Sequence, residues 1–202
     1  MKKLSIISVM VVIAAFMFIP IVNAYPISAG DTVYFSRGTG SGSGGEFNVY
    51  KFAGPILYQT FCLEKAEYLN FGSPFYVNSI TDRAINGGVG PVGDPIAFET
   101  AWLYTQFINH TLFGYTYGDN SSANALQDAI WYFEGEGGSY NAFAQLADAA
   151  NPIDIGNVRV LNLKNASGGN AQDVLIVVTP EPLSLLLLGA GLIGLAGLRR
   201  KE

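Results

Sequence analysis

Cysteine and histidine are almost missing from this chain, which holds one of each in 202 residues. A single cysteine excludes a disulfide framework within the chain. One cysteine and one histidine cannot form a recognisable zinc site, so we predict no metal and no cofactor. His110 ends a predicted helix without an identifiable triad partner, and a cationic role at the helix C-terminus is favoured over catalysis.

Charged residues are also few, at 13% of the chain. Between residues 25 and 178 the sequence has 6 basic and 14 acidic residues, a net charge of −8. Such a surface repels polyanions, which argues against nucleic-acid binding. The Gly/Ser run 37–46 lacks a phosphate-binding lysine and a following helix, so it predicts no nucleotide site.

The N-terminus is typical of a secretory signal peptide. Lys2 and Lys3 precede the apolar run 4–21, and small residues favour cleavage between Ala24 and Tyr25. We therefore assign residues 1–24 as the signal peptide, with an uncleaved signal anchor as the alternative. A region of one domain's size, 25–178, follows.

A second apolar run, 183–198, lies near the C-terminus. As a helix it spans about 24 Å, somewhat less than the ~30 Å hydrocarbon core of a bilayer. We predict a transmembrane segment. The basic residues after it (Arg199, Arg200 and Lys201) favour the cytoplasmic side. Lys2 and Lys3 favour the same side, so the region between the two runs is expected to be exported.

The triplet Pro180-Glu181-Pro182, the apolar run and the basic tail occur in the order of a PEP-CTERM sorting signal, which residues 179–202 resemble. The resemblance implies recognition by an exosortase, a membrane-embedded cysteine-peptidase-like enzyme of Gram-negative bacteria. It also implies transient membrane anchoring and delivery to the cell envelope, the cell surface or the extracellular matrix. A single-pass tail anchor, with the prolines only preceding a helix, is the alternative.

Periodicity predicts strands first, helices next and a hairpin last. The predicted helices start at Asp94, with Pro95 in the first turn, near Ser121 or Ser122, and at Ser139. The expected fold class is α+β: a β-sheet or sandwich with an inserted helical segment of about three helices. An N-terminal signal helix and a C-terminal transmembrane helix complete this prediction.

Two short motifs connect the cysteine to a glutamine. Cys62 stands in "FCLE", and Gln127 stands in "LQDAIW" about sixty residues later. The pair resembles the Cys–Gln thioester domains of bacterial surface proteins, whose helix motif is Thr-Gln-x-Ala-Ile-Trp. Leu126 replaces the threonine of that motif. The resemblance implies a Cys62–Gln127 thioester, which Phe61 and Trp131 would shield from water.

The predicted chemistry is single-use attachment rather than enzymatic turnover. The Cys62 thiolate would displace ammonia from Gln127, and an amine or hydroxyl on a surface target or polysaccharide would open the thioester. One alternative is a non-covalent matrix protein with a free buried Cys62, and an intermolecular disulfide is another. A third is a glycan-active enzyme with two of the acidic residues as its pair: Glu64, Glu67, Asp94, Glu99, Asp128, Glu134 or Glu136.

Overall fold

The structure is a computed structural model that describes residues 27–41, 44–85 and 93–178. The strands of this part are β1 Thr32–Arg37, β2 Phe47–Tyr50, β3 Ile56–Thr60, β4 Phe75–Thr81, β5 Arg83–Ala84, β6 Asp94–Pro95, β7 Val158–Lys164 and β8 Val174–Val177. The helices are α1 Phe98–Ile108, α2 Asn120–Phe133 and α3 Ala142–Ala150.

Six strands form one antiparallel sheet in the order β3-β2-β1-β4-β7-β8, and β5 pairs only with β6. The sheet curls into a half-barrel, which brings the chain just after β3 to the opposite edge strand, β8. There Cys62 forms a bridge with Val174. The Leu63 N–H donates to the Asp173 carbonyl at 3.1 Å, and the Leu175 N–H donates to the Phe61 carbonyl at 3.3 Å.

The core has two clusters on opposite faces of the sheet, because successive strand side chains point to opposite faces. The sheet cluster includes Phe35, Phe75 and Leu161 on one face. The helix cluster joins the other face, through residues such as Val160, to the three helices. Every residue of β8 is therefore buried.

The helices start at other residues than the sequence predicts. Asp94 and Pro95 do not begin α1, because they pair with β5 as strand β6. The helix starts one turn later, after Ala97, whose side chain makes no capping hydrogen bond. For α2 the N-cap is Asp119, which accepts a hydrogen bond from the Ser122 N–H at 2.8 Å. For α3 it is Asn141 rather than Ser139.

The predicted fold class is wrong. Instead of an α+β sheet or sandwich with two terminal helices, the described chain is mostly one curled antiparallel sheet with three helices packed on it. Within residues 27–41, 44–85 and 93–178, no helix is long and apolar enough to cross a bilayer. The signal helix predicted in 1–24 and the transmembrane helix predicted in 183–198 lie outside the described residues, so the domain boundaries stay a prediction.

Candidate functional site

Where the curled sheet brings Cys62 to β8, the N–H and C=O groups of Cys62 make no hydrogen bond to that strand. The hydrogen bonds to β8 are made by the residues on either side of Cys62, so Cys62 and Val174 are a non-hydrogen-bonded pair. In such a pair the N–H and C=O of each residue point away from the partner strand. The Cys62 backbone groups therefore face α2, where a buried donor and acceptor need partners.

The side chain of Gln127, in the middle of α2, provides both partners. The Cys62 N–H donates to Gln127 Oε1 at 3.0 Å, and Gln127 Nε2 donates to the Cys62 carbonyl at 2.8 Å. Cys62 is 3% exposed and Gln127 1% exposed, so both bonds are shielded from water. The structure thus brings together the two residues that the sequence motifs single out, 65 positions apart in the chain.

This arrangement is suited to acyl transfer at Gln127. The Cys62 N–H donates to the oxygen on which negative charge would develop, as an oxyanion-hole donor does. The Gln127 carboxamide lies against both backbone groups of Cys62, the N–H and the C=O.

Trp131 and Phe61, the two predicted shielding residues, lie in different clusters. Trp131 belongs to the sheet cluster together with Cys62, and Lys65 Nζ lies 5.2 Å from the centre of its ring. Phe61 belongs to the helix cluster, where it packs edge-on against Phe107 with ring centres 5.0 Å apart. Thus Trp131 shares the face of Cys62, and Phe61 points to the opposite face.

The glycine-rich loop after β1 packs over α2 beside this pair. Its Gly40 and Ser41 N–H groups donate to the side chains of Asn120 and Asn124, each at 2.9 Å. A Cβ on Gly44 would lie 2.4 Å from Gln127 Cγ. The sequence predicts only that this loop is not a nucleotide site, and the contact with α2 has no counterpart in that prediction. Its glycine content permits close backbone approach, but nothing in the sequence names the helix that it approaches.

Electrostatics at the site favour the neutral thiol. Burial, followed by the negative charge of Glu67, raises the pKa of the Cys62 thiol well above its usual range. Farther along the same segment, burial and the nearby Glu136 raise the pKa of Glu64 to about 8. Leu126, which replaces the threonine of the thioester motif, is fully buried and contributes no hydroxyl.

One cavity opens next to Cys62, and a second cavity adjoins it. One of 230 Å³ is lined by Cys62 itself and by Arg37, Phe47, Glu67, Tyr68, Leu69 and Phe71. The other, of 460 Å³, is larger and shares Glu67 and Tyr68 with the first. The small exposed part of Cys62 therefore faces the smaller cavity.

Of the acidic candidates, Glu67 lines the cavity of Cys62 and Glu64 lies beside Glu136, whereas His110 and Glu134 lie elsewhere. His110 has a left-handed backbone, φ +58°, and stacks on Tyr117 with ring centres 4.2 Å apart. It lines a separate cavity of 340 Å³ with Gln59 and Phe107. Of the acidic residues, Glu134 accepts a hydrogen bond from the Ala97 N–H at 3.2 Å. In the part of the chain that the structure describes, no group of three His, Cys, Asp or Glu side chains is placed to hold a metal.

Comparison with known proteins identifies the C-terminal segment. Residues 178–201 match the family model of the PEP-CTERM protein-sorting motif. Comparison with curated proteins gave no match, and comparison with solved structures gave none either. The matched motif supports an exported protein that an exosortase-type enzyme sorts, located in the cell envelope or outside the cell of a Gram-negative bacterium.

Proposed function

We propose that this exported protein attaches itself covalently to a target through an internal thioester between Cys62 and Gln127. The observation that carries the proposal is the pair of hydrogen bonds that hold the Gln127 carboxamide against the backbone of Cys62. A carboxamide fixed in this way loses little further freedom when the sulfur attacks it, and such pre-positioning accelerates acyl transfer.

Each step of the reaction balances. The Cys62 sulfur attacks the Gln127 amide carbon, the C–N bond breaks, and the thiol proton leaves with the nitrogen as ammonia. A hydroxyl or amine of the target then attacks the same carbon. The C–S bond breaks, an ester or amide joins target and protein, and the target's proton returns to the sulfur. Because Gln127 is consumed, each molecule reacts once and the protein is not an enzyme.

A second candidate function is a non-covalent protein of the cell surface or extracellular matrix with a free Cys62 thiol. It is favoured by the same two hydrogen bonds, because they also satisfy backbone groups that would otherwise be buried without partners. A glutamine with only this structural role would keep its nitrogen.

Intact mass of the protein purified without reducing or nucleophilic buffers separates the two candidates. We expect a mass lower than the sequence mass, after signal-peptide removal, by one ammonia. Methylamine should then add once and expose one alkylatable thiol. Cys62→Ala and Gln127→Ala should both lack the loss, whereas Gln145→Ala, on the exposed face of α3, should keep it. An unmodified mass with methylamine-resistant protein would rule the thioester out.

A further inference from the structure

Two adjoining cavities, one of which is lined by Cys62, are together named the Glu67 groove. Glu67 and Tyr68 line both cavities and so stand where they meet. The smaller cavity reaches Cys62. The larger one runs between the chain segment 67–75 and the turn 165–171 that joins β7 to β8. An extended ligand that passes Glu67 and Tyr68 would therefore reach from the larger cavity to the cavity of the cysteine.

The walls of the larger cavity suit a neutral ligand rich in hydroxyl groups. They combine apolar residues such as Pro74 and Phe75 with amide and hydroxyl side chains, which both donate and accept hydrogen bonds: Asn70, Ser73, Asn165, Ser167 and Asn170. Tyr68 is 78% exposed and offers its ring as a flat apolar surface. Sugar rings present paired hydroxyls at their edges and C–H groups on their faces, so they match both features.

Glu67 is placed to act on the group that enters from this groove. Its side chain is half-buried at the junction, and its charge is close enough to Cys62 to raise the pKa of the thiol. A hydroxyl is a weak nucleophile that needs a base to remove its proton as it attacks, whereas a neutral amine attacks without one. A carboxylate next to the cysteine thus matters most for a hydroxyl acceptor.

We propose that the Glu67 groove binds a neutral glycan chain and that Glu67 is the base for the sugar hydroxyl that opens the Cys62–Gln127 bond. The hydroxyl oxygen attacks the Gln127 carbonyl carbon while its proton passes to the Glu67 carboxylate. The C–S bond breaks, and Glu67 returns the proton to the Cys62 sulfur, which leaves a glycan ester and a free thiol. The acyl-transfer part rests on the thioester proposed above, whereas the binding part does not.

Binding is tested in full-length Cys62→Ala protein, which cannot form a thioester. Calorimetric titration uses neutral hexasaccharides of glucose, of galactose and of N-acetylglucosamine as probes. We expect at least one to bind with a millimolar or lower Kd, and Tyr68→Ala to weaken it about tenfold. Phe113→Ala, an equally exposed aromatic outside the groove, should bind like its parent. No binding by any hexasaccharide, or binding of a lysine peptide in their place, would overturn the proposal.

The role of Glu67 is tested in protein with an intact cysteine, by mass spectrometry of its reaction with two probes. Glu67→Gln should slow ester formation with glycerol by about 100-fold and amide formation with methylamine by less than about tenfold. Glu99→Gln, on α1, should slow neither. Equal slowing of both probes, or of neither, would contradict a base role. If the parent protein shows no ammonia loss, the thioester proposal fails instead, and the calorimetric result still decides whether the groove binds glycans.

Discussion

At the scale of single residues, Gln127 is central to the site because its carboxamide donates one hydrogen bond to the backbone of Cys62 and accepts another from it. Each buried hydrogen bond that loses its partner costs about 1–3 kcal/mol, and more when the group left behind is charged. The Nε2 position faces the Cys62 carbonyl at 2.8 Å, so an oxygen placed there would meet another oxygen. The hydrogen bonds to Cys62 therefore favour a glutamine at position 127 and disfavour a glutamate.

Gln127→Glu is predicted to lower the unfolding free energy by about 3 kcal/mol near neutral pH, because it buries a carboxylate against a carbonyl oxygen. The comparison belongs in a Cys62→Ala background, where no covalent bond contributes. Urea unfolding measures the change. Gln145→Glu, exposed on α3, should change stability by less than about 0.5 kcal/mol. A Gln127→Glu protein as stable as its parent would show that the two hydrogen bonds do not form.

Glu64 predicts a pH dependence of stability. Burial and Glu136 raise its pKa from 4.5 to about 8, so the folded chain holds a proton that the unfolded chain has released above about pH 4.5. Stability should therefore fall as pH rises from about 4.5 to 8, by about 1.4 kcal/mol for each pKa unit between the two states. Urea midpoints across this range measure the slope. Glu134, whose pKa burial raises to about 7, contributes a slope of the same sign. Glu64→Gln should therefore reduce the slope without abolishing it, and an unchanged slope would exclude Glu64 as a source.

At the scale of elements, the glycine-rich loop and α2 form one unit around the cysteine. The loop holds the first turn of α2 through Asn120 and Asn124 and places Gly44 against Gln127 and Trp131. The backbone of the loop lies so close to α2 that a side chain at Gly44 would clash with Gln127 and Trp131. The loop packs against the Gln127 side chain and so helps α2 to hold it in position.

Gly44→Ala is predicted to disturb the site, because the new Cβ would lie 2.4 Å from Gln127 Cγ and 2.8 Å from Trp131 Cη2. We expect a loss of stability of about 1–3 kcal/mol, typical of overpacking, and less of the species that has lost ammonia. Thermal unfolding and intact mass measure the two effects. Gly169→Ala, which meets only the Asn165 side chain at 3.2 Å, is the control. Equal behaviour of both variants would contradict close packing at Gly44.

The sequence predicts local elements well and their assembly poorly. Periodicity identified the strands that come first, the helices that follow and the final hairpin, and it predicted a helix start near Ser121 or Ser122, close to the observed start of α2 at Asn120. It did not reveal that the sheet curls, because closure depends on the pairing of Cys62 with Val174, 112 positions apart by number. The Asp94-Pro95 pair led to a wrong prediction for the start of α1, because the same two residues also fit a short paired strand, β6. The prediction that Cys62 and Gln127 lie together came from the motif resemblance. Nothing in the sequence around Gly44 indicates that it packs against Gln127.

At the scale of the whole molecule, the sorting motif and the candidate site belong to one sequence of events. The motif at 178–201 supports delivery to the envelope or beyond it. Under the proposed function, the region 25–178, with its net charge of −8, meets its target only after export. A thioester that reacts once is useful only if its first partner is met after export.

Glu181→Ala is predicted to trap the protein at the inner membrane, because it removes the only charge of the Pro-Glu-Pro triplet. Fractionation of membrane, envelope and medium, with detection by antibody, measures the distribution. Glu202→Ala, outside the matched segment, should be sorted normally. Unchanged release of the Glu181→Ala protein would contradict recognition of the triplet.

The central claim is a covalent bond between the Cys62 sulfur and the Gln127 side-chain carbon. A high-resolution crystal structure of the untreated protein tests it most directly. We predict continuous density from Cys62 Sγ to Gln127 Cδ, no density for Nε2, and a Cys62 carbonyl that has lost its Gln127 donor. Density for an intact carboxamide, still hydrogen-bonded to both backbone groups of Cys62 beside a separate thiol, would contradict the account.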